Sequence, residues 1–186
     1  MDDNSIALFL HIVGAVGLFV ALGLEWTGLR QIRGAMTPEQ VRGWMGILKS
    51  VRKVGFASML TAVITGIYMM VTDVGGVAWI YASLGALVLV IVLSLALTGP
   101  RMAAVGRALA TEKAPLSRNF HSLANNPLLW ISIQTRIAIA LGIVFLKTAK
   151  PDLGGSLLTI GAAIVIGLAS ALPLPRRERA REGSTD

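Results

Sequence analysis

A chain of 186 residues in which 54% of side chains are hydrophobic and only 15% are charged is too apolar for an ordinary soluble domain, where about a quarter of residues carry charge. A mean hydropathy of +0.70, with the charges gathered in clusters between long apolar stretches, leaves a polytopic helical membrane protein as the class and excludes a soluble enzyme. Without cysteine there is no disulfide framework, thiolate metal site or thiol catalysis, so any chemistry falls to His, Asp, Glu, Arg, Tyr or a bound cofactor.

Five windows can cross a bilayer: Ile6 to Gly28, Val54 to Thr72, Val77 to Thr98, Leu128 to Leu146 and Leu153 to Leu172. Each is long enough for the ~30 Å hydrocarbon core at about 1.5 Å per residue. The expected fold is all-α, a five-span transmembrane helical bundle over residues 1–175 with a basic, disordered tail over 176–186. The first window follows Met1-Asp2-Asp3-Asn4, acidic where a cleavable signal needs a basic start, and is therefore expected to be a retained helix.

Fourteen of the 17 Lys and Arg side chains fall on one side of these windows. They are Arg30, Arg33, Arg42, Lys49, Arg52 and Lys53 before the second, Arg101, Arg107, Lys113 and Arg118 before the fourth, and Arg176, Arg177, Arg179 and Arg181 after the fifth. Only Lys147 and Lys150 lie on the other side, and the positive-inside rule puts the N-terminus outside and the C-terminus in the cytoplasm of an inner (plasma) membrane protein. The net charge of +7 is thus a topology signal. It attracts membrane lipids with anionic headgroups, and no nucleic-acid motif accompanies it. A second copy or another membrane protein is the remaining expected partner.

In chain order, the first helix carries small residues at Gly14, Gly17, Ala21 and Gly28, and Trp26 marks its basic boundary, as Trp44 and Trp130 do elsewhere. Thr37-Pro38-Glu39-Gln40 predicts a capped helix start, with Val41, Trp44, Met45 and Leu48 on one face of a helix running along the cytoplasmic surface before the second span. In the second span Ser58, Thr61, Thr65 and Tyr68 share a side, either as helix contacts or as the lining of a polar cavity. Trp79 and Tyr81 mark the opposite boundary. The connection from Pro100 to Asn126 reads as a short helix, a break at Ala114-Pro115 and a polar turn containing His121. The fifth span repeats small residues every four positions from Gly155 to Ala171, another close-packing ridge.

Three ionisable residues within the spans carry the functional argument, because a charge at bilayer depth costs at least ~2.5 kcal/mol unless paired, hydrated or neutral. They are His11, Glu25 and Arg136. His11 and Glu25 lie on nearly the same side of one helix, about 40° apart, but about 21 Å apart along it. Arg136 lies in an antiparallel helix at a depth where a guanidinium can reach Glu25, with Gln134 and Thr135 as further polar neighbours. The spacing is compatible with a Glu25–Arg136 pair that sets helix register, or with a pocket for an anionic or redox-active ligand anchored by Arg136. A neutral His11 bonds to a helix carbonyl or serves as a ligand.

Leu10-His11-Ile12-Val13-Gly14-Ala15 in the first helix, Thr65-Gly66-Ile67-Tyr68 in the second and Gly99-Pro100-Arg101-Met102 after the third resemble small bacterial membrane proteins of the CopD-like and HemJ-like type. That resemblance implies a helical bundle in the inner membrane, with His11 as a haem or copper ligand and Arg136 pairing a haem propionate. The chain departs from the pattern in having no second intramembrane histidine, although Met69 and Met70 fall where they can approach His11. The expected function is a ligand-binding or accessory bundle with an intramembrane polar site for haem or copper. A haem-dependent porphyrin oxidoreductase and a small transporter or channel subunit are the alternatives, and whether the protein is an enzyme stays open.

Overall fold

The structure, a computed structural model, describes residues 3–74 and 76–171. The basic tail over 176–186 and the start of the acidic leader lie outside the described residues. The described chain folds as helices α1 (Asp3–Gly34), α2 (Pro38–Met69), α3 (Ala78–Leu93), α4 (Gly99–Leu109), α5 (Arg118–Ala124), α6 (Pro127–Ala149) and α7 (Leu153–Ser170). Among the described residues five stretches are long and apolar enough to span a membrane: Asp3–Gly34, Pro38–Thr72, Ala78–Leu109, Arg118–Ala149 and Leu153–Ser170.

Several of these stretches outrun the hydrocarbon core, since 32 residues of helix extend about 48 Å. α2 shows why. Gln40 Oε1 accepts from the Met36 and Thr37 amides, the Thr37 hydroxyl accepts from the Gln40 amide, and Pro38 opens the helix without wasting a donor. From there α2 runs unbroken to Met69, which corrects the expected surface helix. Val41 and Leu48 are buried, and Trp44 and Met45 pack on the same cluster of Leu29, Ile32, Val105 and Phe120. The projecting end of α1 presents an apolar face of its own, so the α2 face closes on protein rather than on lipid.

No break occurs at Gly99-Pro100 either. The helix passes from α3 through a π-helical turn, Ser94–Thr98, into α4, and the Gly99 amide reaches back to the Ser94 carbonyl. Pro100 has no N–H for the Ala96 carbonyl, and Arg101 Nη1 supplies the donor instead, at 3.2 Å to Ala96 O and 2.8 Å to Leu97 O. His121, expected in a turn, sits in α5, a seven-residue helix capped by the Ser117 hydroxyl, with its ring edge-on to Phe120. In the preceding loop the Ser117 hydroxyl and amide both donate to Glu112, and these bonds hold its carboxyl below the usual range.

The α1–α2 hairpin is zipped by small residues. Gly14 lies against Ala62, Ala21 against Gly55 and Gly28 against Leu48, steps of seven on both helices, as an antiparallel 3.5-residue seam requires. α6 packs between α1 and α3, and α7 covers α3 and α6, with Gly142 on Ala163 and Gly167 on Thr135. α2 packs on α1 and α4 but not comparably on α3, which leaves a cleft between α2 and α3.

Candidate functional site

Arg136 stands in the middle of α6 and is buried, its side chain only 4% exposed, while that of Glu25 on α1 is 21% exposed. Its Nη2 donates to Glu25 Oε1 at 2.7 Å and its Nη1 to Oε2 at 3.0 Å, the two-pronged geometry that suits a guanidinium and a carboxylate. Nη2 also donates to Thr98 Oγ1 at 3.3 Å, Thr98 bonds Ser132 at 2.9 Å, and Ser132 donates to the Leu93 carbonyl. Thr98 belongs to the π-helical turn, an irregularity frequent at functional sites. Gln134 and Thr135 are not Arg136 partners, because neighbouring residues on a helix diverge by about 100°. Thr135 Oγ1 and Arg136 Nε are buried with no protein partner among the described residues.

His11 lies about 21 Å from Glu25 along α1, toward its N-terminal end. Its Nδ1 donates to the Ala62 carbonyl at 2.8 Å, with Thr65 Oγ1 at 3.3 Å. That bond fixes the tautomer, so Nε2 is an acceptor and accepts a hydrogen bond from Lys147 Nζ on the last turn of α6. Gly66 makes room for the ring, since a Cβ there would stand 3.1 Å from His11 Cε1.

Two cavities adjoin these groups. One, of about 140 Å³, is walled by Leu22, Glu25, Arg52, Phe56, Ile91 and Arg136 among others. The second, of about 250 Å³, is bordered by His11, Met69, Met70, Trp79, Leu84 and Lys147 among others. Ser58, Thr61, Thr65 and Tyr68 line neither of these two cavities. Ser58 packs on Gly17, Thr65 is buried and bonds the Thr61 carbonyl, and Tyr68 is exposed. Ser58 and Thr65 serve the α1–α2 contact, Ser58 by packing on Gly17 and Thr65 by bonding back to its own helix beside His11.

His11 and Arg136 therefore do not share one site, as a haem with a His11 ligand and an Arg136-bound propionate would need. Each borders a different cavity, and Arg136 is already committed to Glu25. The residues present do not fit haem. They do not fit copper either: Met69 and Met70 border the cavity with His11, but the free face of the imidazole meets the Lys147 ammonium, a charge that repels a metal cation. Among the described residues no group of three His, Asp or Glu side chains converges as a metal site.

Sequence reasoning missed Lys147, Thr98, Ser132 and Arg52 as neighbours of the ionisable core. Ser132 carried a signal, four residues before Arg136 and hence on its face of α6, whereas Lys147 stood out only as a flanking charge. At the basic end Trp26 and Trp130 meet with ring centroids 5.8 Å apart, and the Arg30 and Arg33 guanidinia lie 4.9 and 5.3 Å from the Trp26 and Trp130 centroids. Comparison with protein-family models, with curated proteins and with solved structures yields no match to this chain.

Proposed function

We propose that the chain is a multi-pass protein of a bacterial inner membrane, with its N-terminus outside and its C-terminus in the cytoplasm, and that it works as a ligand-binding bundle. The orientation rests on the distribution of Lys and Arg. Reporters fused to the two ends are expected to give opposite signals, a periplasmic one at the N-terminus and a cytoplasmic one at the C-terminus. Two cytoplasmic signals would remove one of the five crossings.

The ligand reading rests on one observation: a buried guanidinium held by a carboxylate forms the wall of an otherwise apolar intramembrane cavity, beside a second guanidinium, Arg52. Arg52 has no carboxylate partner among the described residues, so the cavity carries two positive groups against one negative. That balance suits a small amphiphile whose apolar body lies against Leu22, Phe56 and Ile91 and whose anionic head meets Arg52 and the outer edge of the Arg136–Glu25 pair.

Solvent extraction of the purified protein followed by mass spectrometry tests this. The wild type is expected to release a co-purifying acidic amphiphile, and Arg52→Gln to lose most of it with an unchanged melting temperature, because the Arg52 side chain holds no structural partner. Equal recovery from both proteins, or recovery from neither, would refute the ligand reading.

A further inference from the structure

The two cavities lie end to end in the cleft between α2 and α3. On α2 the first takes Leu48 to Met59 and the second Ala62 to Met69, while on α3 and its π-helical turn the first takes Val90 to Leu95 and the second Trp79 to Leu87. α1 and α6 floor both, with Glu25 and Arg136 at one end and His11 and Lys147 at the other. Since α2 does not pack closely on α3, the cleft stays open between these two helices.

We propose that the Lys147 end of the cleft is a second anion site, which holds the phosphodiester of an anionic membrane phospholipid with an acyl chain lying between α2 and α3. Three observations carry this. Among the described residues no carboxylate pairs with Lys147, and its ammonium spends one of three protons on His11, leaving two donors for a ligand. The residues around it are apolar and soft, with Met69, Met70, Leu84 and Leu87 forming a chain-like path toward Met59 and Ile91 of the next cavity.

The third observation is depth. Lys147 is on the last turn of α6, Trp79 on the first turn of α3 and Met70 directly after α2, so the cavity sits where helices reach the headgroup level. A cavity of about 250 Å³ is smaller than the ~300–1,000 Å³ of closed small-molecule sites, which suits a headgroup and the first part of a chain that continues along the cleft. Among the described residues Lys147 and Lys150 are the only Lys or Arg side chains at that end of the bundle, so an anion there has few competing sites. His11 positions the ammonium rather than binding the lipid itself. The inference is independent of what occupies the Arg136 end.

The test uses full-length protein in nanodiscs of equimolar phosphatidylcholine and phosphatidylglycerol, released into a mass spectrometer so that the last lipid to dissociate is identified. The wild type is expected to prefer phosphatidylglycerol by about fivefold, the worth of one cation near a lipid phosphate. Lys147→Gln should bring the preference near unity, Lys147→Arg should keep it, and His11→Gln should weaken it in part. Arg107→Gln, which removes a charge of the same sign at the opposite end, should leave it intact, and millimolar inorganic phosphate should not displace the lipid. A wild-type preference in Lys147→Gln, loss of preference in Lys147→Arg, displacement by inorganic phosphate or no retained lipid would each overturn the proposal. If Lys147→Gln lowers the melting temperature, the Lys147→Arg protein decides, since it restores the charge without the original ammonium geometry.

Discussion

Glu25→Gln is expected to destabilise the protein by about 3–5 kcal/mol, because it leaves the Arg136 guanidinium buried with no compensating charge, only the neutral amide oxygen of the substituted side chain and the Thr98 hydroxyl as acceptors. Arg136→Gln should cost a similar amount by stranding the carboxylate. The double variant Glu25→Gln with Arg136→Gln should recover a large part of either loss, since two amides can bond one another and neither carries charge. Reversible unfolding of the four proteins in mixed micelles measures the coupling. Losses that simply add would mean that the two groups are separately hydrated and that the bidentate contact contributes no stability of its own.

The second large effect concerns close approach of backbones. A Cβ at Gly14 would stand 2.7 Å from the Ser58 carbonyl oxygen and 2.8 Å from the Ala62 nitrogen, and one at Gly167 would stand 2.5 Å from Thr135 Cα. These obstacles are main chain and cannot rotate away. Gly14→Val and Gly167→Val are each expected to cost about 3 kcal/mol, the upper end for overpacking, the first by prising α1 from α2 and the second by lifting α7 from α6. Gly23→Ala on α1 and Gly161→Ala on α7 face open space and should change stability by less than about 0.5 kcal/mol, or raise it slightly through helix propensity. Thermal melting in detergent separates the two classes, and equal effects at all four positions would refute the seam.

The five helical stretches were legible because apolar runs of membrane length are a property of the chain itself, needing no knowledge of neighbours. The capping box at Thr37 and the small-residue stripes of α1 and α7 were legible for the same local reason. The opposed depths of Glu25 and Arg136 were also visible, since helix rise converts residue number into height. What the spacing could not give was the 2.7 Å contact, which exists because α6 packs beside α1.

Tertiary structure alone decided the rest. A stripe such as Val41, Trp44, Met45 and Leu48 looks the same whether it meets lipid or protein, and only the projecting end of α1, with Ile32 and Phe120 beside it, turned that face inward. Likewise Ser58 and Thr65 became hairpin contacts rather than cavity lining because Gly14, Gly17 and His11 of α1 occupy their side of α2. The Lys147–His11 contact joins positions 136 residues apart in the chain, and the α2–α3 cleft is a packing that fails to form. Periodicity along one helix records which of its faces is apolar, but which helices become neighbours depends on how all the faces are satisfied together, and that choice placed Arg52 and Arg136 at one end of the cleft and Lys147 at the other.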